Sequence, residues 1–377
     1  MLVLLILPLF LLVAGCSRFH HEQTEKVYVS ARETFLRDRV AEVSNRVGEV
    51  TNGETLEVIE HGRRFTKVKT PKNEIGWIED HMVIDQKIYD AFSALADEHK
   101  KDQPFATATL RDDLYMHVMP GRETEHFYLL PGNTKVQLLE RASVPRQSVA
   151  GAAAASLARL AEPRAASKKT ISAVKTPASP SPDTPPPVME DWWLARDDQG
   201  RTGWLLASRV DVDVPDNIME YGEGQRFIGA WQIATVNDPA SDFPNHDAPE
   251  YLTLMAPPKS GQPFDFDQVR VFTWSKIHHR YETGFRLHPI AGFLPVKIFT
   301  AQTPQGTVPA FSFEIAGNDD VITDPATGVM RPAAPRTIEY ELIETVVKRI
   351  GTDTAPIPSK HEEEKEKKPE RRKGRRS

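Results

Sequence analysis

The chain has 377 residues, of which 40% are hydrophobic and 27% charged, with a formal net charge of -6. That length and apolar content suffice for two or three domains with ordinary cores and exclude a chain disordered throughout. One cysteine, Cys16, excludes a disulfide framework and a cysteine-rich zinc site.

The first predicted element is an uncharged apolar run, Met1 to Ala14, almost wholly Leu, Ile, Val, Phe and Ala and broken once by Pro8. It is too short for a bilayer core, which needs about 20 apolar residues, and has the length of the apolar region of a secretory signal peptide. The small residues Ala14 and Gly15 stand directly before Cys16, and the pattern Val13-Ala14-Gly15-Cys16 resembles the lipobox of bacterial lipoproteins. The resemblance implies cleavage before Cys16, transfer of a diacylglycerol to its sulfur and acylation of the new amino group. Such multiple acylation exceeds what stable anchoring requires. Residues 1–16 are thus expected to be a lipoprotein signal peptide with its lipobox, and Cys16 the lipidation site. The protein is then expected in the cell envelope, anchored to a membrane and facing the periplasm or extracytoplasmic space. Ser17 stands where an aspartate marks inner-membrane retention in some lipoproteins, a lean toward the outer membrane. No Lys or Arg precedes the apolar run, so either the true start lies upstream or the signal is unusual. The competing reading is a buried N-terminal element with an ordinary buried cysteine.

Residues 27–84 and 104–214 contain two copies of one pattern. "NGETLEVIE" superposes on "PGNTKVQLLE", "RFTKVKTPKNEIGWIEDHMV" on "WWLARDDQGRTGWLLASRV", and Gly76-Trp77 falls on Gly203-Trp204. Alternation in Thr55-Leu56-Glu57-Val58 and Lys135-Val136-Gln137-Leu138 is that of strands with one face inward. Asn52-Gly53 and Pro131-Gly132 supply the turns before them. Each glycine of the Gly-Trp pairs permits close approach of the chain, and Trp77 and Trp204 are expected to fill the cores.

This order of elements resembles the bacterial SH3-like domain, SH3b (SH3 type 3): a Gly turn, an apolar strand, a strand with an aromatic residue, and a "GW[IV]" strand followed by a short helical turn. It implies two small β-barrels, 27–84 and 104–214. The family's usual "LNVRSGPS" opening survives only as "FLRDRVAEVS" and "LYMHVMPGRE". On this alignment the Ala- and Pro-rich segment 145–188 is a disordered insertion within the second copy, where the first has only "HGRR"; its closure cost grows only logarithmically with length. Between the copies, residues 85–101 place Ile88, Ala91, Phe92 and Leu95 on one face at helical spacing, which predicts a linker helix.

Residues 217–350 stay β-like and suggest about six to eight strands in a sandwich or partly closed barrel. The phrases "FDFDQVRVFTW" and "HRYETGFRLHPIAGFLPV" resemble a region that accompanies SH3-like repeats in some bacterial envelope lipoproteins, which brings no activity with it. Residues 351–377 end in "KHEEEKEKKPERRKGRRS" and are expected to be a disordered, charged tail. The fold class is therefore mainly β: two SH3-like barrels joined by a helix, then a β-rich domain.

SH3-like repeats often accompany papain-like wall peptidases, which need a cysteine nucleophile, and here the sole cysteine belongs to the anchor. No Gly-x-Ser-x-Gly elbow, His-Glu-x-x-His helix or phosphate-cradling loop occurs in the sequence. The expected function is non-catalytic: binding or scaffolding at the cell wall, with peptidoglycan or an envelope protein as ligand, the membrane as second partner, no cofactor and no nucleic acid. Candidate ligand-binding residues are Arg63, Arg64 and Phe65 on the first copy and Tyr115, Trp192, Trp193 and Arg196 on the second. Two alternatives stand beside it. One is a metal-binding or hydrolytic C-terminal domain using His278, Glu282 and His288, although strand alternation would point His278 and His279 to opposite faces. Asp265, Asp267, Asp319 and Asp320 are read as turn aspartates. The other is a structural partner in an envelope complex, bound through sheet edges.

Overall fold

The computed structural model describes residues 25–41, 43–146, 187–304, 306–318 and 320–357. The expected signal peptide with Cys16, nearly all of the 145–188 insertion, Asp319 and most of the charged tail lie outside the described residues.

Period-two alternation in the first copy builds β1 (Lys26–Val29), β2 (Glu33–Arg37), β3 (Arg46–Thr51), β4 (Thr55–His61), β5 (Phe65–Lys69), β6 (Ile75–Glu79) and β7 (Val83–Asp85). Their inward residues Val29, Leu36, Val50, Leu56, Val68 and Ile78 are buried together. Helix α1 (Gln86–Glu98) follows, its first turn capped by the Asp85 carboxylate accepting from Ile88 N. The second copy forms β8 (Ala106–Leu110), β9 (Leu114–His117), β10 (His126–Leu130), β11 (Lys135–Pro145), β12 (Met189–Arg196), β13 (Thr202–Leu206) and β14 (Val210–Val212).

The two sheets share one strand order: β3-β2-β6-β5-β4-β1-β7 in the first and β10-β9-β13-β12-β11-β8-β14 in the second. Both are seven-stranded and open, not closed barrels. Register gives the residue equivalences. Trp77 lies opposite Arg37 and Lys67, and Trp204 opposite His117 and Leu194. The glycine before each tryptophan lets β2 or β9 cross closely. A Cβ on Gly76 would meet Leu36 Cβ at 2.7 Å, and one on Gly203 would meet Met116 Cβ at 2.7 Å.

The β11–β12 hairpin continues to Pro145 opposite Met189, with Arg146 N donating to Val188 O at 2.7 Å.

Helix α1 joins the copies. Tyr89 stacks on Tyr28 of the first sheet at 4.0 Å, while Phe92, 1% exposed, packs on Phe127 and Tyr128 of the second. The edge strand β10 is blunted by the first copy: Asn52 Nδ2 donates to Phe127 O at 2.8 Å, and Asn52 Oδ1 accepts from Leu129 N at 3.0 Å.

The C-terminal region is a two-sheet packing. β15 (Arg226–Asn237), β16 (Asp247–Ala256), β17 (Gln268–Ser275) and β18 (Arg280–Leu287) form one antiparallel sheet in sequence order. The second contains β19 (Gly292–Thr303), β20 (Gly306–Ala316), β23 (Pro335–Ile343) and β24 (Val346–Ile350), with a two-stranded ribbon of β21 (Val321–Thr323) and β22 (Met330–Pro332) inserted. Leu252, Leu254, Val269 and Val271 of one sheet share a core with Phe311, Phe313, Ile338 and Tyr340 of the other. The first sheet is covered on its other face too, by Ile218, Tyr221 and Phe243 packed over Tyr251, Phe272, Trp274 and Tyr281. Trp231 Nε1 donates to Phe105 O at 2.9 Å and ties this region to the second copy.

Candidate binding site

The outward face of the first sheet holds the candidates from the first copy. Phe65, Lys67 and Lys69 alternate with inward Thr66 and Val68 on β5, and Ile75 and Trp77 with inward Gly76 and Ile78 on β6. Phe35 lies on the same face of β2. Trp77 is only half-buried, not a core residue: Lys67 Nζ lies 5.9 Å from its ring, and Gly62 backs it closely enough that a Cβ there would come within 3.2 Å of Trp77 Cζ3. The Arg46 guanidinium stacks 3.8 Å from the Phe35 ring. Arg63 and Arg64 are exposed in the turn beside Phe65. Along the ladder Arg37, Arg46, Lys67 and Lys69 alternate with Glu49, Glu57, Glu60 and Glu79, and the two turn arginines tip the balance positive. The result is a row of half-buried aromatic rings flanked by charges.

The equivalent face of the second sheet is filled. By register Trp192 corresponds to Phe65, Leu194 to Lys67 and Trp204 to Trp77. Trp192, Leu194 and Trp204 form a buried cluster with Ala142, Leu206 and Val329, against which Leu95 of α1 packs. This corrects two ligand candidates: Trp192 is 1% exposed and Trp193, in the core on the opposite face beside Phe105, is 3% exposed. Neither can meet a polymer without opening the fold. Arg196 is half-buried and donates to the carbonyl oxygens of His99 and Asp102, so it closes the turn after α1. Tyr115 is half-buried against His126, ring centres 4.7 Å apart, and burial raises its hydroxyl pKa. Next to Trp192, burial first and then His126 push the His117 imidazole pKa down to about 4.

The C-terminal histidines do not converge. His278 and His279 lie in the turn between β17 and β18, not on a strand, and His279 has φ 49°. His278 Nδ1 sits 2.7 Å from Glu282 Oε1, whereas His288 Nε2 faces Asp267 Oδ2 at 3.4 Å beyond the other end of β18. Glu282 and His288 lie six positions apart along extended chain, about 20 Å. Among the described residues no group of three or more His, Cys, Asp or Glu side chains could hold a metal ion. His279 Nδ1 instead meets Asp238 Oδ2 at 2.9 Å, and hydrogen bonds from Trp274 Nε1 and then His279 hold the Asp238 carboxyl down at about 2. Beneath them Glu250, 1% exposed, is pushed up to about 6 by burial, against a hydrogen bond from Trp274 N.

One site has no short motif behind it. The second sheet and the C-terminal region enclose a cleft of about 580 Å³, lined by Glu140, Arg141, Phe293, Lys297, Glu314 and Arg331 among others. Arg141 is a buried junction: Nη2 donates to Asp191 Oδ1 at 2.9 Å and Nη1 to Phe264 O at 2.8 Å, with Asp265 Oδ1 at 3.4 Å. Asp191 also accepts from Arg226 and Gly261 N. Burial works against ionisation of Asp191, yet Arg141, the Gly261 N–H and Arg226 together hold its carboxyl below the usual range. At Asp265 burial prevails over Arg141 and the Leu294 N–H and raises it. Asp265 is therefore a buried junction carboxyl, not a turn aspartate. Glu140, paired with Arg331 on the cleft wall, is likewise raised by burial.

No protein-family model matches the chain, and no curated protein matches its sequence. The solved structure of NlpC2 from Trichomonas vaginalis is similar over 69% of this chain and 92% of that chain, at 7% sequence identity and a TM-score of 0.15. A likeness at that score carries no argument about fold or function.

Proposed function

We propose that this is a non-catalytic envelope lipoprotein, anchored through Cys16, that binds the cell wall or a wall-associated protein through the outward face of its first SH3-like sheet. One observation carries the proposal: the same face is spent inside the molecule in the second copy, where Trp204 lies under Val329, and left partly open in the first, where Trp77 is half-buried with Lys67 and Gly62 beside it. Half-buried rings offer flat apolar area to sugar rings or apolar side chains, and flanking cations meet carboxylates.

The test is co-sedimentation of the chain from Ser17 onward, which keeps every described residue, with purified peptidoglycan sacculi at low and moderate salt. Retention at moderate salt supports wall binding; recovery in the supernatant at both salts removes it.

A second reading, a structural partner bound through a sheet edge, has its own support: β19 ends its sheet, and its Ile298 and Phe299 are exposed. Co-purification of one envelope protein that is lost on Phe299→Glu would favour it.

A further inference from the structure

We infer that the cleft between the second sheet and the C-terminal sandwich binds a short peptide carrying a free ammonium and a free carboxylate. Its volume of about 580 Å³ lies within the range of ligand sites, ~300–1,000 Å³. Its wall is apolar where β19 passes through it, at Phe293, Leu294, Pro295 and Val296. Two opposite charges stand at that wall, Lys297 on β19 and Glu314 on β20, and neither has an ion-pair partner among the described residues.

Their spacing sets the ligand length. Lys297 lies opposite Ser312, two residues along β20 from Glu314 on the same face. Two strand residues span about 7 Å, and an extended chain covers ~3.3–3.6 Å per residue. A dipeptide or tripeptide therefore places its carboxylate at Lys297 and its ammonium at Glu314. A neutral glycan would desolvate both charges without pairing either. The adjacent walls are fixed in advance by the buried Arg141 contacts to Asp191, Asp265 and Phe264 O, which lowers the ordering cost of binding. The site is separate from the outward face of the first sheet.

Calorimetric titration of the chain from Ser17 onward with the tripeptide Ala-Leu-Ala tests this, against its N-acetylated, C-amidated form and the N-acetylglucosamine tetramer. The free tripeptide should bind, with about tenfold or more loss of affinity on capping and a similar loss in Lys297→Ala and Glu314→Ala. Trp77→Ala should leave peptide binding unchanged, which separates this site from the wall-binding face. Equal affinity for free and capped peptide, no heat at millimolar tripeptide, or unchanged affinity in both cleft variants would overturn the inference.

Discussion

Trp77 and Trp204 occupy one position in two copies of a single sheet, and only Trp204 is covered. Each follows a glycine in a five-residue strand and each faces β2 or its counterpart β9, yet Trp204 is 2% exposed beneath Val329 and Leu206 while Trp77 is half-buried beside Lys67. A duplicated fold has thus put one copy of a face to internal assembly and left the other available. Truncation should separate the two roles. Trp204→Ala is expected to cost about 3–5 kcal/mol, as for a buried large aromatic, and Trp77→Ala much less; urea unfolding of both variants measures the difference.

The glycines before the tryptophans should tolerate no side chain. Gly76→Ala would press on Leu36 and on Arg37 O, 3.0 Å from the added Cβ, and Gly203→Ala on Met116. Each is expected to lose about 1–3 kcal/mol, the usual cost of overpacking, read as a lower urea midpoint at unchanged slope.

Arg141→Ala should be among the most damaging single changes outside the tryptophans. It leaves Asp191 and Asp265, 2% and 7% exposed, without their shared cation at the junction. Breaking such a pair from one side costs about 3–5 kcal/mol. Arg141→Met together with Asp191→Asn and Asp265→Asn should recover much of the loss, which thermal unfolding would register.

Two buried groups give pH dependences of opposite sign. The His117 pKa is depressed to about 4, so the unfolded chain binds more protons between its ordinary 6.5 and 4. The associated stability is complete above pH about 6.5 and lost as pH falls through 4, about 3 kcal/mol in all. His117→Gln should flatten that acid limb.

Glu250 behaves inversely. Its carboxyl is raised to about 6, so the folded chain binds more protons, and stability is lost as pH rises from the ordinary 4.5 through 6. Glu250→Gln keeps an acceptor for Trp274 N and is expected to gain about 1–2 kcal/mol at pH 7 with little change at pH 4. Melting temperatures at the two pH values decide it.

How far the sequence could be read depends on the range of the interactions involved. The paired Gly-Trp strands and the Asn52-Gly53 turn are local signals, and residues around them fold into sheets of one strand order. Ile88, Ala91, Phe92 and Leu95 mark α1 by spacing alone, and Phe92 is its buried residue. Alternation says which residues share a face but not what covers it, so it could not distinguish Trp192, buried under Val329, from the half-buried Phe65. The turn Lys276–His279 carries no Gly, Pro or Asn, and the left-handed conformation of His279 is stabilised by Asp238, 41 residues away. The Arg141 junction joins residues 50 and 124 positions apart, and no periodicity reports such a contact.

The central claim, that the outward face of the first sheet carries the wall-binding function, is tested most directly by comparing sacculus co-sedimentation of the unaltered chain from Ser17 onward with Trp77→Ala and with the double change Arg63→Glu and Arg64→Glu. Binding by the unaltered chain that falls about tenfold or more in both variants, with their melting temperatures preserved, is the expected result. Equal binding by all three would contradict it.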